Sequence, residues 1–123
     1  MEIKMLSNGS DVKVALRELE SQKKFIEDLG LFYPGAPDEL SRVAAEKTIN
    51  SVLIKLIESS PDNLTEKEFW LILEVAAKQL SNMDSEEMDR GLSYMEEIMD
   101  IYKIESSDGR LNEWRYGFEP SSH

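Results

Sequence analysis

Apolar residues recur along this chain at intervals of three and four, the spacing that lines one face of an α-helix, and the recurrence breaks at clusters of Gly, Pro, Ser and Asn. In residues 11–29 the recurring positions are Val12, Leu16, Leu19, Ile26 and Leu29, interrupted by Lys23. Ser10, after Asn8-Gly9, suits the N-cap, and Gly30 suits the left-handed residue that ends a helix. Phe32-Tyr33-Pro34-Gly35-Ala36-Pro37 cannot continue it. Pro34-Gly35 fits the centre of a type II turn, and Pro37 drives Ala36 into extended geometry.

A second helix is predicted over residues 38–58, burying Leu40, Val43, Ala44, Val52, Leu53, Leu56 and Ile57, until Ser59-Ser60-Pro61-Asp62-Asn63 breaks it. The third has the clearest start. Thr65 and Glu68 stand at the two positions of a capping box, with Leu64 and Phe69 placed as its hydrophobic staple. Phe69, Ile72, Leu73, Ala76 and Leu80 form its buried stripe. The fourth repeats the device, with Asp84 as N-cap, Glu87 at N3, and Met83 and Met88 as staple. Met88, Leu92, Met95, Met99 and Tyr102 line one face of it, widened by Tyr94, Ile98 and Ile101, so the four Met read as core before they read as an adaptable binding surface.

Beyond the turn at Glu105-Ser106-Ser107-Asp108-Gly109, a short helical turn around residues 111–114 is expected, with Trp114 and Phe118 folded back onto the helices. Residues 3–6 are the one stretch compatible with a strand. The fold class predicted is all-α: a compact bundle of four main helices with a short C-terminal helical turn, forming a single domain over residues 1–120. Ser121-Ser122-His123 reads as a tag remnant, and His123, the only histidine, is given no role.

Charge sharpens this picture. Of a net charge of −11, residues 1–60 carry −2 and residues 61–123 carry −9. On a helical wheel, Glu86, Asp89, Glu96, Glu97 and Asp100 of the fourth helix share a sector of about 100°, with Ser93 among them. No Lys or Arg of that helix falls inside the sector. Carboxylates three and four residues apart repel, so the stripe costs stability in isolation and favours a basic partner. The plainer reading is the solvated face of an acidic protein. Net acidity argues against nucleic acid and against anionic membrane surfaces, both of which need clustered Lys and Arg. No apolar run is long enough to span a membrane, and the first residues lack the features of a signal peptide. With no cysteine, a reducing cytoplasm fits.

Catalytic chemistry finds little support. There is no Cys, no usable His, no strained Gly-x-Ser-x-Gly turn and no phosphate-cradling Gly loop. Glu97-x-x-Asp100 lacks the Glu-x-x-His partners of a helical di-metal site, so no metal and no cofactor are expected. Tyr33-Pro34-Gly35-Ala36-Pro37 reads either as a recognition loop using Tyr33 or, more simply, as a stiff connector with its aromatics tucked in. Trp114, Arg115, Tyr116 and Phe118 are of the residue types enriched at interface hot spots, although a packed tail explains them equally.

Two segments carry a resemblance: Phe32-Tyr33-Pro34-Gly35-Ala36-Pro37, and Ile104-Glu105-Ser106-Ser107-Asp108-Gly109 leading to Leu111-Asn112-Glu113-Trp114-Arg115-Tyr116-Gly117-Phe118. Over residues 14–120 the chain resembles a family of small bacterial helical proteins of unknown function. Small acidic all-helical proteins of this kind also look like immunity proteins of contact-dependent growth inhibition systems. That resemblance implies a non-enzymatic cytoplasmic protein that binds and neutralises a cognate basic toxin domain, a ribonuclease before other activities, by blocking its active cleft. It transfers no functional residue. The alternative is a helical adaptor or regulatory protein with no toxin partner, and an enzyme working through carboxylates alone comes third.

Overall fold

In the computed structural model, residues 4–59 and 64–117 are described. Among them run α1 (Ser10–Ser21), α2 (Glu39–Glu58), α3 (Glu66–Leu80), α4 (Ser85–Ile101) and α5 (Arg110–Gly117), with a 3-10 turn at Leu29–Leu31 and no strand. α2 packs against α1, α3 and α4, and α5 bridges α3 and α4. The bundle is all-α, and one core draws residues from all five helices. Phe118, the tail at residues 121–123 and most of the break at residues 59–63 lie outside the described residues.

α3 forms as its sequence dictates. Thr65 Oγ1 accepts from Glu68 N at 3.0 Å, and Thr65 N donates to Glu68 Oε1 at 3.2 Å, which completes the capping box. Leu64 and Phe69 are both buried beneath it. The expected strand at residues 3–6 reduces, where described, to a single antiparallel bridge between Met5 and Thr65. Leu6 N donates to Leu64 O and Glu66 N to Lys4 O, pinning the chain start to the head of α3.

The first helix ends eight residues before the predicted Leu29, at Ser21. Side chains distant in sequence stop it there. Lys24 is fully buried, and its Nζ donates to Glu20 O (3.2 Å) and Gln22 O (2.9 Å), satisfying carbonyls at the end of α1. Its backbone N donates to Glu46 Oε2 at 2.7 Å, and Arg42 Nη1 donates to its carbonyl at 3.1 Å. Burial pushes the Lys24 ammonium below its ordinary pKa, against the opposing pull of Glu46, Glu20 and Glu97. Phe25 then takes a left-handed φ of 61°, which drops its ring into the core against Tyr94, with centroids 5.2 Å apart. Ile26 and Leu29, expected on the buried stripe, are therefore exposed. At the other end Gly9 takes the N-cap position, one residue before the expected Ser10, with no side-chain cap.

α2 begins as expected, with Asp38 Oδ1 accepting from Ser41 N at 2.7 Å. Hydrogen bonding from the Ser41 backbone, with help from its side chain, holds the Asp38 carboxyl below its ordinary pKa. The phase of its first half differs from prediction. Leu40 is 84% exposed, Ala44 is exposed and Val43 is half-buried, while Ala45, Thr48 and Ile49 enter the core. Ala45, Ile49, Val52 and Leu56 form one i, i+4, i+7, i+11 stripe, and Leu40 falls on the opposite side of the wheel. α4 runs close to α3 at Gly91, where a Cβ would collide with the Leu80 side chain. Met88, Met95 and Met99 are buried, so the core reading of these residues holds and Met83 is half-covered. Trp114 is buried on α5 and meets Trp70 edge-on at 6.2 Å.

Three buried phenols make stability fall in alkali. Burial raises the pKa of Tyr33, Tyr94 and Tyr102 above the ordinary 10.0, and for Tyr33 its hydrogen bond to Glu87 adds to the rise. The folded chain holds these protons to higher pH than the unfolded chain, so the unfolded state ionises first and is favoured as pH rises past 10. Denaturant midpoints followed by circular dichroism are expected to drop through this range. Tyr102→Phe should flatten the drop, at the cost of the 2.7 Å hydrogen bond from Tyr102 Oη to Asn8 Oδ1. A midpoint unchanged above pH 10 would contradict the burial of these phenols.

Candidate protein-binding face

α4 turns its apolar arc inward, and this aims the carboxylates at solvent. Glu86, Asp89, Glu96, Glu97 and Asp100 are all exposed, along one edge of the molecule. Their surroundings differ. Asp89 Oδ1 accepts from Arg115 Nε of α5, an ion pair that a wheel of α4 alone does not contain. A pair this open to water contributes roughly 0–1 kcal/mol, yet it partly neutralises the middle of the stripe. Glu97 sits at a crowded point. Loss of surrounding water pushes its carboxyl above the ordinary pKa, Asp100 and Asp28 add to this, and Arg90 and Lys24 oppose it.

Glu87 does not serve the predicted capping box. Asp84 occupies the N-cap position without a side-chain cap. Glu87 is instead buried, with Oε2 accepting from Tyr33 Oη at 2.8 Å. A buried carboxylate needs such a donor, and the bond fastens the 28–33 loop onto α4. That loop is closed twice over. Asp28 N donates to Tyr33 O (2.8 Å) and Tyr33 N to Asp28 O (2.9 Å), while Asp28 Oδ1 accepts from Gly30 N at 3.0 Å. Arg90 reinforces the seam: its guanidinium lies over the Tyr94 ring at 3.9 Å, and Nη2 is 3.9 Å from Asp28 Oδ2. Gly35, at φ 91°, supplies the positive φ expected of the turn.

The consequence is an inversion of the two aromatics. Tyr33 is tucked in, as the connector reading expects, while Phe32 stands 94% exposed with a left-handed φ of 54°. Leu29 and Leu31 are exposed beside it. Leu31 and Phe32 share with Glu86, Asp89, Arg90 and Ser93 a shallow hollow of about 310 Å³. The structure thus joins the upper half of the acidic stripe to an apolar tip that sequence reasoning did not assign. The signal available was Leu29-Gly30-Leu31-Phe32 ahead of Pro34-Gly35, an apolar cluster inside turn-forming residues.

A larger groove of about 1010 Å³ opens between α3 and α5 over Trp70 and Trp114, with Arg110 stacked on Trp70 at 4.6 Å. Its walls alternate Lys4, Lys67 and Arg110 with Glu66, Glu74, Asp108 and Glu113, so it presents no dominant charge. Among the described residues no cluster of three or more His, Cys, Asp or Glu is placed to hold a metal ion. No described helix is long and apolar enough to cross a membrane. Carboxylates on a convex helix beside an apolar tip suit non-covalent recognition.

The chain belongs to the family described as a domain of unknown function, DUF4844, whose model matches residues 7–119. Its structure is similar to the crystal structure of a DUF3571 family protein from Acinetobacter baumannii AYE, with a TM-score of 0.73 and 26% sequence identity over 90% of this chain and 92% of that one. No curated protein matches.

Proposed function

We propose that this chain is a non-enzymatic, cytoplasmic immunity protein that binds a basic bacterial toxin domain, a ribonuclease first among candidates, and blocks its active cleft. The observation that carries the reading is the exposed row of carboxylates along α4, bordered by the Leu31–Phe32 tip. A ribonuclease attracts polyanionic RNA, so its cleft is electropositive, and an acidic helix face competes for the same field. Charge of this kind mainly accelerates encounter and selects the partner, while buried apolar contact sets how long the complex lasts.

Affinity capture with the whole chain from its native host tests this. The expected result is a basic protein that degrades RNA alone and loses that activity when this chain is added in equimolar amount. Recovery of an acidic or neutral partner, or of none, would put the adaptor reading ahead. So would a genomic neighbourhood without a toxin reading frame directly upstream.

A further inference from the structure

We propose that Phe32 is the anchor of the complex: it enters an apolar pocket on a basic protein partner, and Glu86 and Asp89 meet Arg and Lys side chains at that pocket's rim. This rests on the preceding reading that the acidic face meets a basic protein, and adds which residue carries the affinity.

Exposure is the first argument. Phe32 leaves nearly its whole ring in water, with Leu29 78% and Leu31 53% exposed beside it. A Phe removes roughly 150–250 Å² from water when buried, and none of the described residues covers this one. The second is rigidity. The Asp28–Tyr33 pair of backbone hydrogen bonds and the buried Tyr33–Glu87 bond fix the base of the tip. Little conformational freedom is then left to lose on docking, a saving that favours affinity. The left-handed φ of Phe32 is uncommon for a bulky side chain, and it presents the ring outward.

Charge selects among occupants. An apolar tip by itself suits a lipid surface, a second copy of the chain or another protein. Here Glu86 and Asp89 line the same hollow as Leu31 and Phe32, while its one cation among the described residues, Arg90, is turned to the Tyr94 ring and Asp28, and Asp89 shares its charge with Arg115. Those carboxylates are repelled by anionic lipid headgroups, and a second copy brings another −11 to the contact. A basic surface is attracted at the place where the ring would be buried. An aromatic anchor at the centre with charges around it is the usual arrangement of an interface hot spot.

Photo-cross-linking tests the proposal in the full chain, in its native host. A benzophenone amino acid is placed at position 32, and in a parallel variant at position 71, where Leu71 lines the α3–α5 groove on a different face. The expected result is an adduct from position 32, and none from position 71, with one basic protein whose cross-linked peptide borders apolar residues with Arg or Lys. With that protein purified, Phe32→Ala should weaken the complex roughly 30-fold or more, mainly through faster dissociation, and Phe32→Trp should retain most of the affinity. Phe32 is exposed, so neither change should alter the circular dichroism spectrum. Adducts between two copies of the chain, or with lipid, would overturn the assignment of the occupant. A basic partner captured by the wild-type chain, but cross-linked from position 71 only or indifferent to Phe32→Ala, would overturn the anchor and leave the basic-partner reading standing. Capture of no basic partner at all would remove both.

Discussion

Truncating Phe69 to alanine is expected to cost about 3–5 kcal/mol of folding free energy, the usual range for a fully buried Phe. Its ring is wholly shielded from solvent and meets Trp70 edge-on at 5.0 Å and Tyr102 at 5.1 Å. Tyr102 in turn holds Asn8, whose Nδ2 donates to Leu56 O at 3.1 Å, so one ring sits where α2, α3, the end of α4 and the chain start converge. The staple with Leu64 is lost in the same step. Against a total stability of about 5–15 kcal/mol for a domain of this size, such a loss leaves the fold marginal. Urea titration should show a much lower midpoint. Leu71→Ala, on the exposed side of the same helix, should cost less than about 1 kcal/mol and leave the midpoint little changed. Equal losses from the two would mean that α3 does not pack as described.

α3 is also where sequence and structure agree most closely, because every local signal there points the same way: cap, staple and stripe. The end of α1 was not legible. It is decided by Lys24, Glu46 and Arg42, which meet across 18–22 residues of chain, and by a left-handed Phe25 that no propensity anticipates. The first half of α2 offers Leu40, Val43, Ala44, Ala45 and Ile49 on nearly all sides of the wheel, so its phase is set by its three neighbouring helices and not by its own pattern.

The candidate site divides in the same manner. The five carboxylates come from one helix, and a wheel suffices to place them together. Arg115, which reaches Asp89 across 26 residues, is invisible to it. Glu87 shows the competition directly. Three residues after Asp84 it has the spacing of a capping-box partner, but a phenol 54 residues away offers it a buried hydrogen bond instead. The same bond decides which of Phe32 and Tyr33 turns inward, and so which of them is left for a partner.

Reversing Glu86, Asp89, Glu97 and Asp100 to Lys is expected to slow association with a basic partner by about 10–10³-fold at low salt, the span that electrostatic steering covers. The effect should shrink as ionic strength rises and the Debye length falls below about 10 Å. Dissociation should change less, because these groups lie at an exposed rim. All four residues are exposed, so the fold should survive, with Glu97→Lys the costliest of the changes because it sets a cation towards Arg90 and the buried Lys24. Asp89 gives up its surface pair with Arg115, a loss of at most about 1 kcal/mol. In partial return, Glu96 gains a cation four residues further along the helix, the favourable order for such a pair. Asp11, Glu18, Glu58 and Glu113 serve as the control set: they are exposed on α1, α2 and α5, away from the α4 stripe, and reversing them changes the net charge by the same amount. Stopped-flow association of both sets with the captured partner separates the possibilities. A large loss confined to the α4 set assigns the stripe as the steering face. Equal losses would mean that net charge alone draws the partner in, and an unchanged rate for the α4 set would remove these residues from the interface.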